Sequence, residues 1–193
     1  MSEQTTSIVL AGVGGQGILL ACEIAANAAI EAGFDVKTNE VHGMAQRGGS
    51  VIGQIRYGQK VNSPLILEGT ANVLAGLEQT EALRYAHYLA PGGLAVVSAQ
   101  RILPVTVSSG QATYPDDVPQ RLAQAFDRLV YLQADKLALS LGNVRCANVV
   151  LLGAMSRALD LPTECWQQSI RRCVPPKHHE LNLKAFELGQ SQQ

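Results

Sequence analysis

Short apolar runs and longer mixed segments take turns along the first two thirds of the chain. Residues Ser7 to Ala11 form a compact apolar run, with the length and composition of a buried strand. It ends in Gly12-Val13-Gly14-Gly15-Gln16-Gly17, and an alanine-rich stretch follows as far as Gly33. In that stretch Glu23, Asn27 and Glu31 recur at every fourth position, which draws a narrow wet stripe down an otherwise small and apolar helix. Asp35 to Val41 reads as a second strand, Ser50 to Tyr57 as extended chain, and Asn72 to Leu77 as a further apolar strand. Gln79 to Ala90 sets Ala82, Leu83, Ala86 and Leu89 on one helical face, and Pro91-Gly92-Gly93 is its expected stop. Leu94 to Ser98, Val105 to Ser108 and Leu129 to Leu132 are expected strands, and Val118 to Phe126 is an expected helix opened by Asp116, Asp117 and Pro119. Beyond Ala134 the strand signals end. Arg145 to Leu159, Thr163 to Cys173 and Lys177 to Leu188 carry helical spacing, the last with Leu181, Ala185 and Leu188 at i, i+4 and i+7.

Strands that alternate with helical segments call for a parallel sheet, because parallel neighbours need long crossovers and those crossovers bury both faces. The expected class is therefore α/β: a doubly wound, mostly parallel, Rossmann-like sheet with a helical C-terminal region. A chain of 193 residues fits one such domain, expected to span 1–193.

Composition narrows the partners. Charged residues make up only 16% against 47% hydrophobic, which is lean for a solitary soluble chain and points to surface covered by another subunit. The net charge of -1 comes with no basic run, so neither a nucleic acid nor an anionic membrane is an expected partner. No apolar run approaches the roughly 20 residues needed to span a bilayer. Met1 to Ser7 is polar and lacks the layout of a signal peptide, so a cytoplasmic protein is expected. Cys22, Cys146, Cys165 and Cys173 are scattered without a C-x-x-C pair. Local spacing therefore assembles neither zinc nor iron–sulfur ligands, and the four read as small buried residues.

Three motifs could carry chemistry. Gly12, Gly14 and Gly17 satisfy G-x-G-x-x-G directly after a strand and before a helix. Glycine there permits a tight turn and lets backbone N–H groups approach a phosphate at the positive end of a helix. With Gly15, these glycines form the candidate cofactor-binding turn, for a nucleotide or for coenzyme A; close helix–sheet packing explains the same pattern equally well. Were the ligand a dinucleotide, Glu40 lies near the end of the second strand where a ribose carboxylate belongs, and an NAD(P)-binding oxidoreductase is the rival reading. No downstream pair for hydride transfer accompanies it. The second motif, Glu40 to Ser50, packs three glycines around His42, Gln46 and Arg47. Arg47 suits a bidentate pair with a carboxylate or phosphate, and Gln46 or His42 suits orienting it; a surface turn with a local ion pair is the plainer alternative. The third, His178 and His179 after Pro175-Pro176, is a poor chelate, since helical neighbours point about 100° apart. Trp166 and Ile170 read as core.

The stretches GVGGQGI at 12–18, EVHGMAQRGGSV at 40–51, SPLILEG at 63–69, EALRYAHYLAPGG at 81–93 and ELNLKAFELG at 180–189, with Asn148, resemble the gamma-domain family of 2-oxoacid:acceptor oxidoreductases (the pyruvate/ketoisovalerate oxidoreductase gamma type). Within it they most resemble the beta subunits of the indolepyruvate-using enzymes. Asn72 departs from the pattern, which has Asp after the SP-x-I-x-EG stretch. The resemblance implies oxidative decarboxylation of an aryl pyruvate with coenzyme A as co-substrate, giving an aryl-acetyl-CoA, carbon dioxide and reduced ferredoxin. It implies a large alpha subunit that holds thiamine diphosphate and [4Fe-4S] clusters, ferredoxin as electron acceptor, a heterotetramer, and a small subunit inactive alone that binds no cofactor by itself. A purely structural subunit whose glycine turn binds nothing is the third possibility, and Arg47 is the residue whose removal separates it from a ligand-facing one.

Overall fold

A computed structural model describes residues 5–43 and 48–192 of the protein. Its centre is one six-stranded sheet in the order β2-β3-β1-β4-β5-β6. The strands are β1 (Thr6–Val13), β2 (Asp35–His42), β3 (Ser50–Gly58), β4 (Ala71–Gly76), β5 (Leu89–Ser98) and β6 (Leu129–Leu132). β1, β4, β5 and β6 are mutually parallel, while β3 runs antiparallel to both β1 and β2. The sheet is mostly parallel, as expected, with β3 its one antiparallel strand: β2 and β3 form a hairpin, and β3 slots between β1 and β2.

Successive residues of the central strands feed opposite faces. Ile8, Leu10, Val73, Ala75 and Val96 enter one core, and Val9, Leu74, Ala95 and Val97 the other. Burial on both sides is why these strands read as unbroken apolar runs. The first face is covered by α1 (Ile18–Glu31) and α6 (Ala147–Ser156), with α5 (Ala134–Ser140), α7 (Thr163–Cys173) and α8 (His179–Gln190) packed against them. The second is covered by α2 (Gln79–Arg84), α4 (Val118–Ala125) and Ile66. The polar stripe of α1 meets α7: the Asn27 amide donates to Cys173, Ser169 Oγ donates to the Ile24 carbonyl at 2.6 Å, and Arg172 pairs with Glu31. Trp166 and Phe186 are fully buried and stack at 5.6 Å between centroids.

Three expectations change. The helix over 79–90 stops at Arg84; a 3-10 turn follows and Pro91-Gly92-Gly93 lies inside β5, where the register slips between Ala71 and Val73 of the neighbouring strand. Pairing with β4 captures Leu89 and Ala90 that helical spacing had claimed. Val105 to Ser108 is one exposed turn of helix, α3 (Val105–Ser108), not a strand. β5, the strand that leads into this segment, already has β4 and β6 as its two neighbours and offers it no ladder, and Pro104 opens a turn instead. Ala134 to Ser140, unassigned by the pattern, is α5.

Candidate functional site

The sheet order reverses at β1, whose chain neighbour β2 lies on one side while β4 lies on the other. At such a switch point the connections leave in opposite directions and a crevice opens beyond the carboxyl ends of the strands. A cleft of about 720 Å³ sits there, lined by the Gly14–Gly17 turn, Gly48, Ser98, Gln100, Arg145 and Asn148, among others.

The glycine turn is built largely from this chain's own polar contacts. The Gln16 side chain folds back beneath it: Oε1 accepts from the Val13 N–H at 2.7 Å, and Nε2 donates to the Leu77 carbonyl at 2.7 Å and to Gln100 Oε1 at 2.8 Å. A Cβ on Gly12 would lie 2.7 Å from Gln16 Oε1 and 3.1 Å from Leu77 Cβ, so Gly12 is small to admit Gln16. Gly17 begins α1 at φ +79°, and a Cβ there would meet Asn148 Nδ2 at 2.7 Å. That Asn148 amide, 4% exposed, donates to the Gly17 carbonyl at 3.1 Å and ties α6 to the turn. Gly14 pairs with the hairpin loop, its N–H donating to the Gly49 carbonyl at 2.8 Å and its carbonyl accepting from Gly48 at 3.2 Å. Gly15, at φ +106° with open space around it, lines the cleft.

Several donors face the cleft, set among apolar residues such as Leu20, Leu77, Ile102 and Leu151. The first helical hydrogen bond of α1 runs from the Ala21 N–H to the Gly17 carbonyl, and no side chain caps the helix. The N–H groups of Ile18 and its successors are therefore left at the positive helix end. Arg145 adds a cation with no ion-pair partner among the described residues. Donors at a helix start beside one guanidinium suit an anionic or carbonyl-bearing ligand.

The other sequence candidates that the structure describes do not line this cleft. Gln46 and Arg47 lie outside the described residues. His42 is exposed at the end of edge strand β2, its Nδ1 3.4 Å from the neighbouring Gly43 carbonyl, and does not line the cleft. Glu40 is exposed on β2, with β3 standing between it and β1; two strand spacings, roughly 10 Å, separate it from the turn, unlike a ribose carboxylate on the adjacent strand. Asn72 Oδ1 accepts from the Ser7 N–H at 2.8 Å, an acceptor role that Asp would also fill. Gln100, Ser98 and Arg145 went unnoticed in the sequence; a serine and a glutamine closing the apolar VVSAQ run were the available signal.

Nucleophile and metal chemistry find little footing. Burial pushes the Cys22, Cys146 and Cys173 thiols up, which keeps them protonated near neutrality. Among the described residues no group of three or more His, Cys, Asp or Glu could hold a metal ion, so a [4Fe-4S] cluster has no ligand set in them. Beneath the cleft, Glu78 is fully buried and satisfied: it accepts from the N–H groups of Thr80 and Glu81, from the Thr80 hydroxyl and from Tyr114. Burial, with Glu78 beside it, pushes the Tyr114 phenol up to about 12.

Residues 7–192 match the family model described as pyruvate ferredoxin/flavodoxin oxidoreductase. The chain is 45% identical over 188 residues to the indolepyruvate oxidoreductase subunit IorB of Thermococcus kodakarensis, covering 95% of this chain and 93% of that one. It is 30% identical to the ketoisovalerate oxidoreductase subunit VorA of Methanothermobacter thermautotrophicus, over 94% of this chain and 35% of that longer one. The keto/oxoacid ferredoxin oxidoreductase gamma subunit of Geobacter sulfurreducens has a similar solved structure, with TM-score 0.70, 26% identity and 95% coverage of both chains.

Proposed function

The chain belongs to the pyruvate ferredoxin/flavodoxin oxidoreductase family, and from that premise we propose that it is the small subunit of a 2-oxoacid:ferredoxin oxidoreductase acting on an aryl pyruvate such as indolepyruvate. The whole chain is read as one gamma-type domain. The reaction is oxidative decarboxylation: the 2-oxoacid loses carbon dioxide, coenzyme A takes the acyl group, and ferredoxin takes the electrons. Thiamine diphosphate, when bound on the large alpha subunit, supplies the carbanion-stabilising chemistry, and [4Fe-4S] clusters there carry electrons.

This chain's part is to bind and orient. The observation that carries the reading is the donor-lined cleft at the switch point, in a chain that matches small subunits along nearly its whole length. We assign the N–H groups of Gly15 and Gly17, with Arg145, to acceptor-bearing parts of coenzyme A or of the 2-oxoacid. From the sequence motif, Arg47 is proposed to pair with a carboxylate or phosphate of that ligand, and Gln46 or His42 to orient it. Gly12 and Gly17 leave space for Gln16 and Asn148, which favours a scaffold role for those two positions. The position of Glu40 argues against the NAD(P) reading.

The complex is taken to be a cytoplasmic heterotetramer with two large and two small subunits; no helix among the described residues is long and apolar enough to cross a membrane. The deciding experiment captures the tagged chain from its native cytosol and assays the product for a large partner, iron and thiamine. Coenzyme-A-dependent reduction of ferredoxin by indolepyruvate is the expected activity. A chain recovered alone that binds NAD(H) would overturn the proposal.

A further inference from the structure

Amide side chains have two ends, and the orientation of each must be deduced from fixed partners. At the base of the cleft the partners are fixed. The Val13 N–H is only a donor and so holds Gln16 Oε1; the Leu77 carbonyl is only an acceptor and so holds Gln16 Nε2. The second Nε2 proton of Gln16 then points to Gln100, which must answer with Oε1, at 2.8 Å. Two backbone groups thus dictate the orientation of a side chain they do not touch. Gln100 Nε2 is turned away from Gln16 and has no partner among the described residues, and Gln100 lines the cleft. The Gln100 backbone is held as well, its N–H donating to Ser98 Oγ at 3.3 Å and its carbonyl accepting from Gln79 at 3.3 Å.

We infer that Gln100 is a specificity-determining residue of this cleft, presenting Nε2 as a donor to a phosphate or carboxylate oxygen of the ligand, and that Gln16 is the positioning residue that fixes this orientation. The inference rests on the proposed subunit function and deepens it. With Arg145 and the free N–H groups of α1, the cleft wall offers donors, which selects acceptor-rich ligands and disfavours groups that must donate. The same geometry gives the Gln at position 16 of the glycine turn a task beyond closing the turn: an acceptor at that end would reverse Gln100.

The test uses the assembled complex and reads KM for coenzyme A, KM for the 2-oxoacid, kcat and thermal midpoint. Gln100→Glu retains an oxygen for Gln16 Nε2, so the midpoint should move little, while the donor becomes a carboxylate facing the ligand. One of the two KM values is expected to rise about ten-fold or more, as loss of a hydrogen bond to a charged group implies, with a smaller change in kcat. Gln16→Glu should raise the same KM with Gln100 intact, because Gln100 turns round to donate to the new carboxylate, and it should also lower the midpoint, since its other oxygen faces the Leu77 carbonyl. If Gln100→Glu does not assemble, the neutral Gln100→Met carries the same comparison. A change in the coenzyme A value identifies a phosphate of the coenzyme; a change in the 2-oxoacid value identifies its carboxylate. Active variant complexes with both KM values unchanged would overturn the inference and leave the subunit function standing. A wild-type complex with no coenzyme-A-dependent turnover would instead remove the function on which it rests.

Discussion

Replacing Gly153 by alanine sets two well-known effects against each other, and the structure decides the sign. Gly153 and Gly189 stand where α6 and α8 cross. A Cβ on Gly153 would lie 2.0 Å from the Phe186 carbonyl oxygen and 3.0 Å from the Gln190 nitrogen, and a Cβ on Gly189 would lie 2.0 Å from the Val150 oxygen. These neighbours are backbone, which has no rotamer to change. Restoring ordinary contact near 3.4 Å requires the helices to part by roughly 1.4 Å, against interiors packed as densely as crystals. Overpacking of this kind costs about 1–3 kcal/mol and occasionally more. Better helix propensity returns about 1 kcal/mol, and the parting also loosens Phe186 and its stack on Trp166, both fully buried. Because both clashes are with backbone, the cost lies at the top of that range, and the expected net loss is about 2 kcal/mol, or a fall of roughly 4–8 °C in Tm for a chain of this size. Thermal and urea unfolding of the full chain would read it. A second replacement, Gly189→Ala, should cost less in the variant than in the parent, because the gap it needs is already open. A Tm that rises, as propensity alone requires, would refute the close-crossing argument.

Three further outcomes are expected. Asn148→Asp should be more damaging than Asn148→Ala, since a carboxylate oxygen would face the Gly17 carbonyl where the amide now donates; the alanine variant should lose about 1–2 kcal/mol, and equal stabilities by urea titration would remove the clamp from the account. Cys22, 2% exposed and with its thiol pushed up by burial, should resist iodoacetamide at pH 8 until the chain unfolds, whereas half-buried Cys165 should react sooner; peptide mass mapping would reveal the reverse order if the packing is misjudged. Tyr114 has its phenol raised to about 12. A raised folded value means its contribution is present below the unfolded value near 10 and is lost as pH climbs towards 12, so Tyr114→Phe should flatten the alkaline loss of stability. An unchanged alkaline profile by circular dichroism would contradict that.

Much of the fold was written in local pattern. The first strand, the glycine turn and α1 stand where periodicity set them, as do β3, α4, β6 and α7, because each satisfies its own length and apolar spacing without help from distant residues. The failures share one cause. Leu89 and Ala90 carried helical spacing yet joined β5, and Val105 to Val107 carried strand residues yet coiled into a turn, because a strand exists only where a neighbour offers a ladder. No local rule reports that neighbour.

The candidate site divides in the same way. G-x-G-x-x-G between a strand and a helix announced that a helix start would face the carboxyl ends of the strands, and the order of elements put a crevice there. The lean charge and scattered cysteines pointed towards a subunit without its own cluster. The sequence could not reveal that Gly12 and Gly17 make room for Gln16 and Asn148, since those partners meet the turn only after β4, β5 and α6 pack around it. Nor could it reveal that β3 inserts between β1 and β2 and carries Glu40 away from the turn. Gln100 lies 84 residues from Gln16 along the chain, and the direction of its amide depends on backbone groups at the ends of β1 and β4. Chain pattern fixes which groups exist and which elements carry them; only tertiary packing decides which donors remain unspent and where they point.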